Sequence, residues 1–265
     1  MYKILLFLLT GLMACKGKVY RMPSSSMAET IREGEPFYVK KTDQFKRNDL
    51  VVFRIYSDDY ATGPGDDGQF KKHWEERCFR LIAISGDSLE IKNNVVYLNN
   101  KKLPFPPGCK LVYQLYSSTV IEDQVMEENI EIAGAQANPA EKGWITQVSL
   151  SQDQLRELRN KHPEITRVEP YIPPANSLDT FYAKPDPALE WNTGNYGPLY
   201  IPRPGETIEI TDKNYKLFQH LPGIQLGRVK ISEVLYFVMG DNRYFASDSR
   251  FTGFIPHSNM RGIVK

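Results

Sequence analysis

The stretch "VLYFVMGDNRYFASDSRFTGFIP", residues 234–256, decides how this sequence is read. The run from Val234 to Met239 is apolar throughout and has the length of a buried strand. Gly240 stops it, and a polar loop dense in Asp and Arg follows. Asp241, Arg243, Asp248 and Arg250 carry matched opposite charges, so they read most simply as ion pairs that brace the loop.

Outward from this stretch the chain is rich in strand patterns. "EPFYVKK" (35–41) and "DLVVFRIY" (49–56) alternate or run apolar as strands do, with "KRND" turning between them. Residues 57–76, full of Asp, Gly and charge, read as a loop. "CFRLIAIS" (78–85) reads as a buried strand stopped by Gly86-Asp87. "SLEIKNNVVYLNNKKL" (88–103) has the pattern of a hairpin turning at Asn93-Asn94, because Asn tolerates positive φ. From about 104 to 228 the pattern is mixed, with Pro and Gly clusters at 104–108, 169–174 and 185–204 marking loops. Ser151 and Gln154 form a capping-box signature for a helix whose Leu155 and Leu158 share a face. A second helix is expected from Thr211 through "NYKLFQHL". The expected fold is mainly β: a core of residues 23–103 and 229–265 carrying a large mixed α/β insertion, 104–228.

Composition adds exclusions. A net charge of +1 over 265 residues leaves no electrostatic footprint for nucleic acid. No His/Cys/Asp cluster has metal-site spacing and no Gly-rich loop reads as a phosphate cradle, so neither metal nor cofactor is expected. Cys78 and Cys109 show no disulfide pattern, and the balance is against their pairing.

The N-terminus "MYKILLFLLTGLMAC" has Lys3 followed by a mostly apolar run from Ile4 to Ala14. A bilayer span needs about 20 apolar residues, so this run fits the core of a signal peptide, residues 1–14. Leu12-Met13-Ala14-Cys15 resembles a lipobox, at which the cysteine is lipidated. Cys15 would then anchor the chain on the periplasmic side of a bacterial membrane, with residues 15–22 as linker. An ordinary signal peptide or a clipped membrane helix is the plainer alternative.

Four segments stand in a telling order: "PSSSM" (23–27), "NDLVVF" (48–53), "RLIAISGD" (80–87) and "GDNRYFASDSRFTGFIP" (240–256). Together they resemble the motif boxes of type I signal peptidase, the bacterial leader peptidase family. "WNTGNYGPLYIPRPG" (191–205) is similar to an insertion in Bacteroides-type members. The resemblance covers most of residues 21–265. It implies a signal-peptidase-like β core with a long peptide groove and an inserted cap, a serine endopeptidase that removes signal peptides. By motif, Ser26 would be the nucleophile, and Ser24 would direct its hydroxyl at the oxyanion. Losing one such donor costs about 100- to 1000-fold in rate. Met27 and Cys78 would line the substrate pocket, and Arg80, Asp241, Arg243, Asp248 and Arg250 would support the site.

The sequence departs from the family where the chemistry is most demanding. A serine hydroxyl is a weak nucleophile without a base. The family uses a lysine kept neutral by burial, immediately before the arginine of the third box. Here Phe79 occupies that position, next to Arg80. The serine that usually bonds that lysine, two positions before the last aspartate, is Ala246. Glu29 stands where a proline is common. His73 lies six residues too early to substitute, and Lys71 and Lys72 fall in a charged loop. A positioned base contributes about 100- to 10,000-fold, so the expectation is a catalytically impaired homologue that keeps its groove for signal peptides or other extended peptides. The alternatives are an active signal peptidase using Ser26 with an unrecognised base, and a structural surface lipoprotein whose groove has closed around Phe79.

Overall fold

The computed structural model describes residues 17–57, 73–174 and 183–265. The signal-peptide and lipobox readings, Cys15 included, lie outside those residues, as does most of the 57–76 loop reading. Strands β1 (Gly17–Arg21), β2 (Pro36–Lys40), β3 (Leu50–Ser57) and β4 (His73–Ile84) open the chain. β4 begins earlier than "CFRLIAIS" suggests. The charged His73–Glu76 stretch reads as loop by composition, but its backbone pairs with Arg54–Ser57. The partner strand overrides local preference there.

β5 (Ser88–Lys92) and β6 (Val95–Leu98) form the expected hairpin, with φ of 49° at Asn93 and 67° at Asn94. After the short β7 (Lys101–Lys102) come β8 (Leu111–Ser117), α1 (Glu122–Glu127), β9 (Glu131–Asn138) and β10 (Gly143–Leu150). α2 (Gln152–Lys161) and β11 (Ile165–Pro170) follow. The Ser151 hydroxyl accepts from the Gln154 N–H and the Gln154 side chain accepts from the Ser151 N–H, the reciprocal cap expected. Leu158 is fully buried, with Leu155 packed beside it.

β12 (Tyr196–Tyr200), β13 (Thr207–Ile210), α3 (Tyr215–Phe218) and β14 (Gly227–Lys230) come next. The helix expected from Thr211 shrinks to the four residues of α3. Asn214 accepts from the Thr211 N–H and donates to the Glu209 carbonyl, holding a turn where a first helical turn would form. β15 (Leu235–Met239), α4 (Ser249–Thr252), β16 (Ile255–Pro256) and β17 (Met260–Val264) end the chain.

A seven-stranded antiparallel sheet runs β1-β2-β17-β3-β4-β15-β16. Two four-stranded sheets run β11-β8-β10-β9 and β12-β5-β6-β7, and β13 pairs with β14. Along β15, Leu235, Phe237 and Met239 enter one apolar cluster while Tyr236 and Val238 enter another. This strand is covered on both faces, which is why it reads as an unbroken apolar run. The first cluster also takes in Leu89, Ile91, Tyr196 and Leu199, so β12 closes over β5 from far along the chain.

His162, just after α2, sits between two carboxylates, its Nε2 2.8 Å from Glu128 and its Nδ1 3.0 Å from Glu164. The bond to Glu128, above all, raises its pKa from the ordinary histidine value. A raised folded-state value stabilises the protonated fold. That contribution is complete below about pH 6.5 and is lost as the pH rises through the raised value. His162→Gln is expected to remove this part of the pH dependence of the melting temperature. Identical pH profiles for the two proteins would sink the assignment.

Candidate active site

The triple serine forms a single turn. Ser24 is extended, with φ −155° and ψ 171°, and caps a 3-10 turn of Ser25–Met27. Its hydroxyl accepts from the Ser26 N–H and donates to Ser26 Oγ at 3.1 Å. Ser26 is 6% exposed, at the floor of an open groove of about 390 Å³. Ser24, Ser26, Cys78 and Phe79 all line that groove, with Met22 and Phe245. Met27 lies fully buried beneath the floor rather than on its surface.

Gly240 is where the segments converge. A Cβ there would stand 2.3 Å from the Ala246 Cβ, 2.7 Å from the Ser26 carbonyl oxygen and 3.4 Å from the Phe79 ring. Only glycine admits so close an approach. Phe79 is 4% exposed and packs on Phe53 at 5.9 Å, so the space between β4, Ala246 and the serine turn is apolar and filled.

Behind the floor the Asp- and Arg-rich stretch folds on itself. Arg80 donates to both oxygens of Asp241, at 2.9 and 2.6 Å, and to the Asn48 carbonyl. Thr30 adds a bond to Asp241. Asp248 accepts from the Gly240 N–H and, through both oxygens, from Arg250 at 2.9 and 2.8 Å. Arg250 further donates to the carbonyls of Arg243 and of Thr193, the latter inside the 191–205 segment. Arg243 donates to the Cys109 sulfur at 3.3 Å. Both Cys78 and Cys109 are free and buried. Burial, with Asp241 nearby, pushes the Cys78 thiol up to about 12 against a weaker pull from Arg80, so it stays protonated and is no nucleophile.

Some site residues carried no sequence signal. Arg77 donates to the Ser247 carbonyl across the groove wall and pairs with Glu75. Lys110 is buried, its ammonium 3.2 Å from Glu131, and its backbone lies along the site loop. The Lys110 N–H donates to the Asp241 carbonyl, and the Arg243 N–H to the Lys110 carbonyl. Asn242 fixes the serine turn by donating from its backbone to Ser26 and from its side chain to Ser25. Among the described residues lining the groove there is no Lys or His. The two hydroxyls can offer an oxygen and a donor; Glu75, Glu76 and Cys78 also line the groove, but among the described residues the hydrogen bonds at the two hydroxyls run only between Ser24 and Ser26.

A mainly β chain with a capped serine turn under a groove and a buried Asp/Arg brace has the parts of a serine hydrolase scaffold. The chain belongs to the signal peptidase, peptidase S26, family, whose model matches residues 1–265. It is 32% identical over 92 residues to "Signal peptidase I" of Bacillus licheniformis, covering 33% of this chain and 41% of that protein. It is 27% identical over 113 residues to "Signal peptidase I" of Leptolyngbya laminosa, covering 37% and 55%. It is 31% identical over 93 residues to "Signal peptidase I U" of Bacillus subtilis (strain 168), covering 34% and 42%. The matches thus span about two fifths to just over half of these relatives' lengths. Among the described residues no helix is long and apolar enough to cross a membrane.

Proposed function

We propose that this protein is a signal-peptidase homologue that binds signal peptides or other extended peptides in the groove at Ser26 but cuts them poorly. The observation that carries this reading is the meeting of Phe79 and Ala246 at Gly240, directly against the Ser26 carbonyl. By the resemblance, these are the positions of the lysine base and of the serine that orients it. In this reading Ser26 keeps the nucleophile's place and Ser24 the oxyanion donor's. Cys78 borders the peptide, and Met27 shapes the pocket from below. Arg80, Asp241, Arg243, Asp248 and Arg250 hold the loop that carries the groove's rear wall. Residues 104–228 form the inserted cap, and a lipid on Cys15 holds the groove at the periplasmic face of a bacterial membrane.

The test pairs binding with turnover on the full chain in detergent. A labelled signal peptide is followed by fluorescence anisotropy, and a fluorogenic version of it by cleavage, for the wild type and Ser26→Ala. Saturable binding with no Ser26-dependent turnover is the expected result. Turnover that Ser26→Ala abolishes would make the protein a working signal peptidase with another base. Absence of peptide binding would leave a structural surface lipoprotein.

A further inference from the structure

Asn242, in the loop after β15, is wholly buried. A buried amide side chain has an oxygen acceptor and two N–H donors to satisfy. Its Oδ1 accepts from the Ser149 hydroxyl at 2.7 Å. Its Nδ2 donates to Glu131 at 2.6 Å and to the Ser25 carbonyl at 3.2 Å. Its backbone N–H donates to the Ser26 carbonyl at 3.1 Å. One residue thus holds two successive carbonyls of the serine turn, although Ser25 stands 217 positions away in the chain.

What orients the amide comes from far outside the serine turn. Glu131 on β9 and Ser149 on β10 are paired directly across the two strands. Cross-strand partners of this kind put their side chains on one face of the sheet. Here the two offer one acceptor and one donor to the same amide. The Ser149 hydroxyl is wholly buried, and the Glu131 oxygen that takes Nδ2 is itself fixed by the buried Lys110 ammonium at 3.2 Å. Turned over, the amide would set Oδ1 against the Glu131 carboxylate and the Ser25 carbonyl, two acceptors with nothing to donate. Donor and acceptor together leave a single orientation, the one in which Nδ2 faces Ser25. The parallel backbone bridge between Lys110 and Asn242 sets the depth at which the amide is held.

We propose that Ser149, with Glu131 as its partner, is a positioning residue for Ser26: the two fix the Asn242 amide, and through it the turn that carries Ser26 to the groove. The proposal rests on the reading of that groove as a peptide site. Neither residue lines the groove, so each acts on a bound peptide only through Asn242. The turn is a single one, Ser25–Met27, capped by Ser24, so a shift of the Ser25 and Ser26 carbonyls moves the Ser26 hydroxyl with them. The β9–β10 pair is in this way part of the site's machinery and not only a cover beside it.

Nuclear magnetic resonance of the full chain in detergent, isotope-labelled at serine nitrogen, tests the proposal. The amide signals of Ser25 and Ser26 are identified by their loss in Ser25→Ala and Ser26→Ala. Ser149→Ala is expected to shift or broaden both signals. Ser149→Cys, which nearly keeps the volume but offers a weaker donor, is expected to move them less. Val125→Ala is the control: it removes packing from the buried cluster around α1 and should lower the melting temperature without moving either signal. A labelled signal peptide is expected to bind Ser149→Ala about 10-fold more weakly, the cost of one misplaced hydrogen bond, and Val125→Ala as tightly as the wild type. Serine signals unmoved by Ser149→Ala, or moved equally by Val125→Ala, overturn the proposal. So does unchanged peptide affinity in Ser149→Ala where the wild type binds. Signals that move in a protein whose wild type binds no peptide would instead sink the peptide reading of the groove and leave the positioning of Ser26 supported.

Discussion

Phe79→Lys combined with Ala246→Ser is expected to cleave a signal-peptide substrate about 100- to 10,000-fold faster than the parent, with the gain lost again when Ser26→Ala is added. The geometry around Gly240 is the reason. Residues 79 and 246 approach the same point, and that point is 2.7 Å from the Ser26 carbonyl. A lysine stem at 79 would run among Val51, Phe53 and Val238, all buried. Desolvation there disfavours the ammonium and lowers the lysine pKa, which is what a neutral base needs. A hydroxyl at 246 would hold the amine toward Ser26. The rate should rise with pH as that lysine loses its proton. Phe79→Lys alone should gain less, having nothing to orient its amine. A double variant that binds peptide yet stays silent at every pH would mean that more than the base has been lost. Glu29 would then be the next suspect, tied as it is to Gln154 on α2.

Asp248→Ala is expected to destabilise the fold by about 3–5 kcal/mol, because it leaves a buried arginine without its counter-charge. Asp248 is wholly buried and Arg250 is 1% exposed. The same substitution frees the Gly240 N–H and uncaps α4, whose first turn Asp248 holds through the Arg250 N–H. Urea unfolding of the two proteins measures the difference. The exposed pair Asp153–Arg156 on α2 is the control, since such pairs contribute about 0–1 kcal/mol. A loss below about 1 kcal/mol at Asp248 would mean that water reaches Arg250 and that the brace is not sealed.

The parts legible in the sequence are those fixed by near neighbours. Val234–Met239, the Asn93-Asn94 turn and the Ser151–Gln154 cap each follow from a few adjacent side chains. The serine turn and the Asp/Arg stretch were legible for the same reason, since each is contiguous. The parts that failed depend on a distant partner. His73–Glu76 is extended only because Arg54–Ser57 offers it a ladder, and β12 is a strand because β5 needs an edge partner. Thr211 starts no long helix because Asn214 turns the chain back through Glu209. At the site, Lys110 had no local pattern to betray it. Its place comes from the loop it lies against.

That contact at Lys110 makes three distant pieces of chain into one kinetic unit. The amide hydrogens of Lys110 and Arg243 are held by Asp241 and Lys110, so neither is freed while residue 110 stays seated on the loop, and that of Asn242, between Asp241 and Arg243, is held by Ser26. In deuterated water the three are expected to exchange at one shared rate, set by opening of the whole join. A single nick near Gly108 would loosen the backbone under Ser26, although more than eighty residues separate the two positions along the chain.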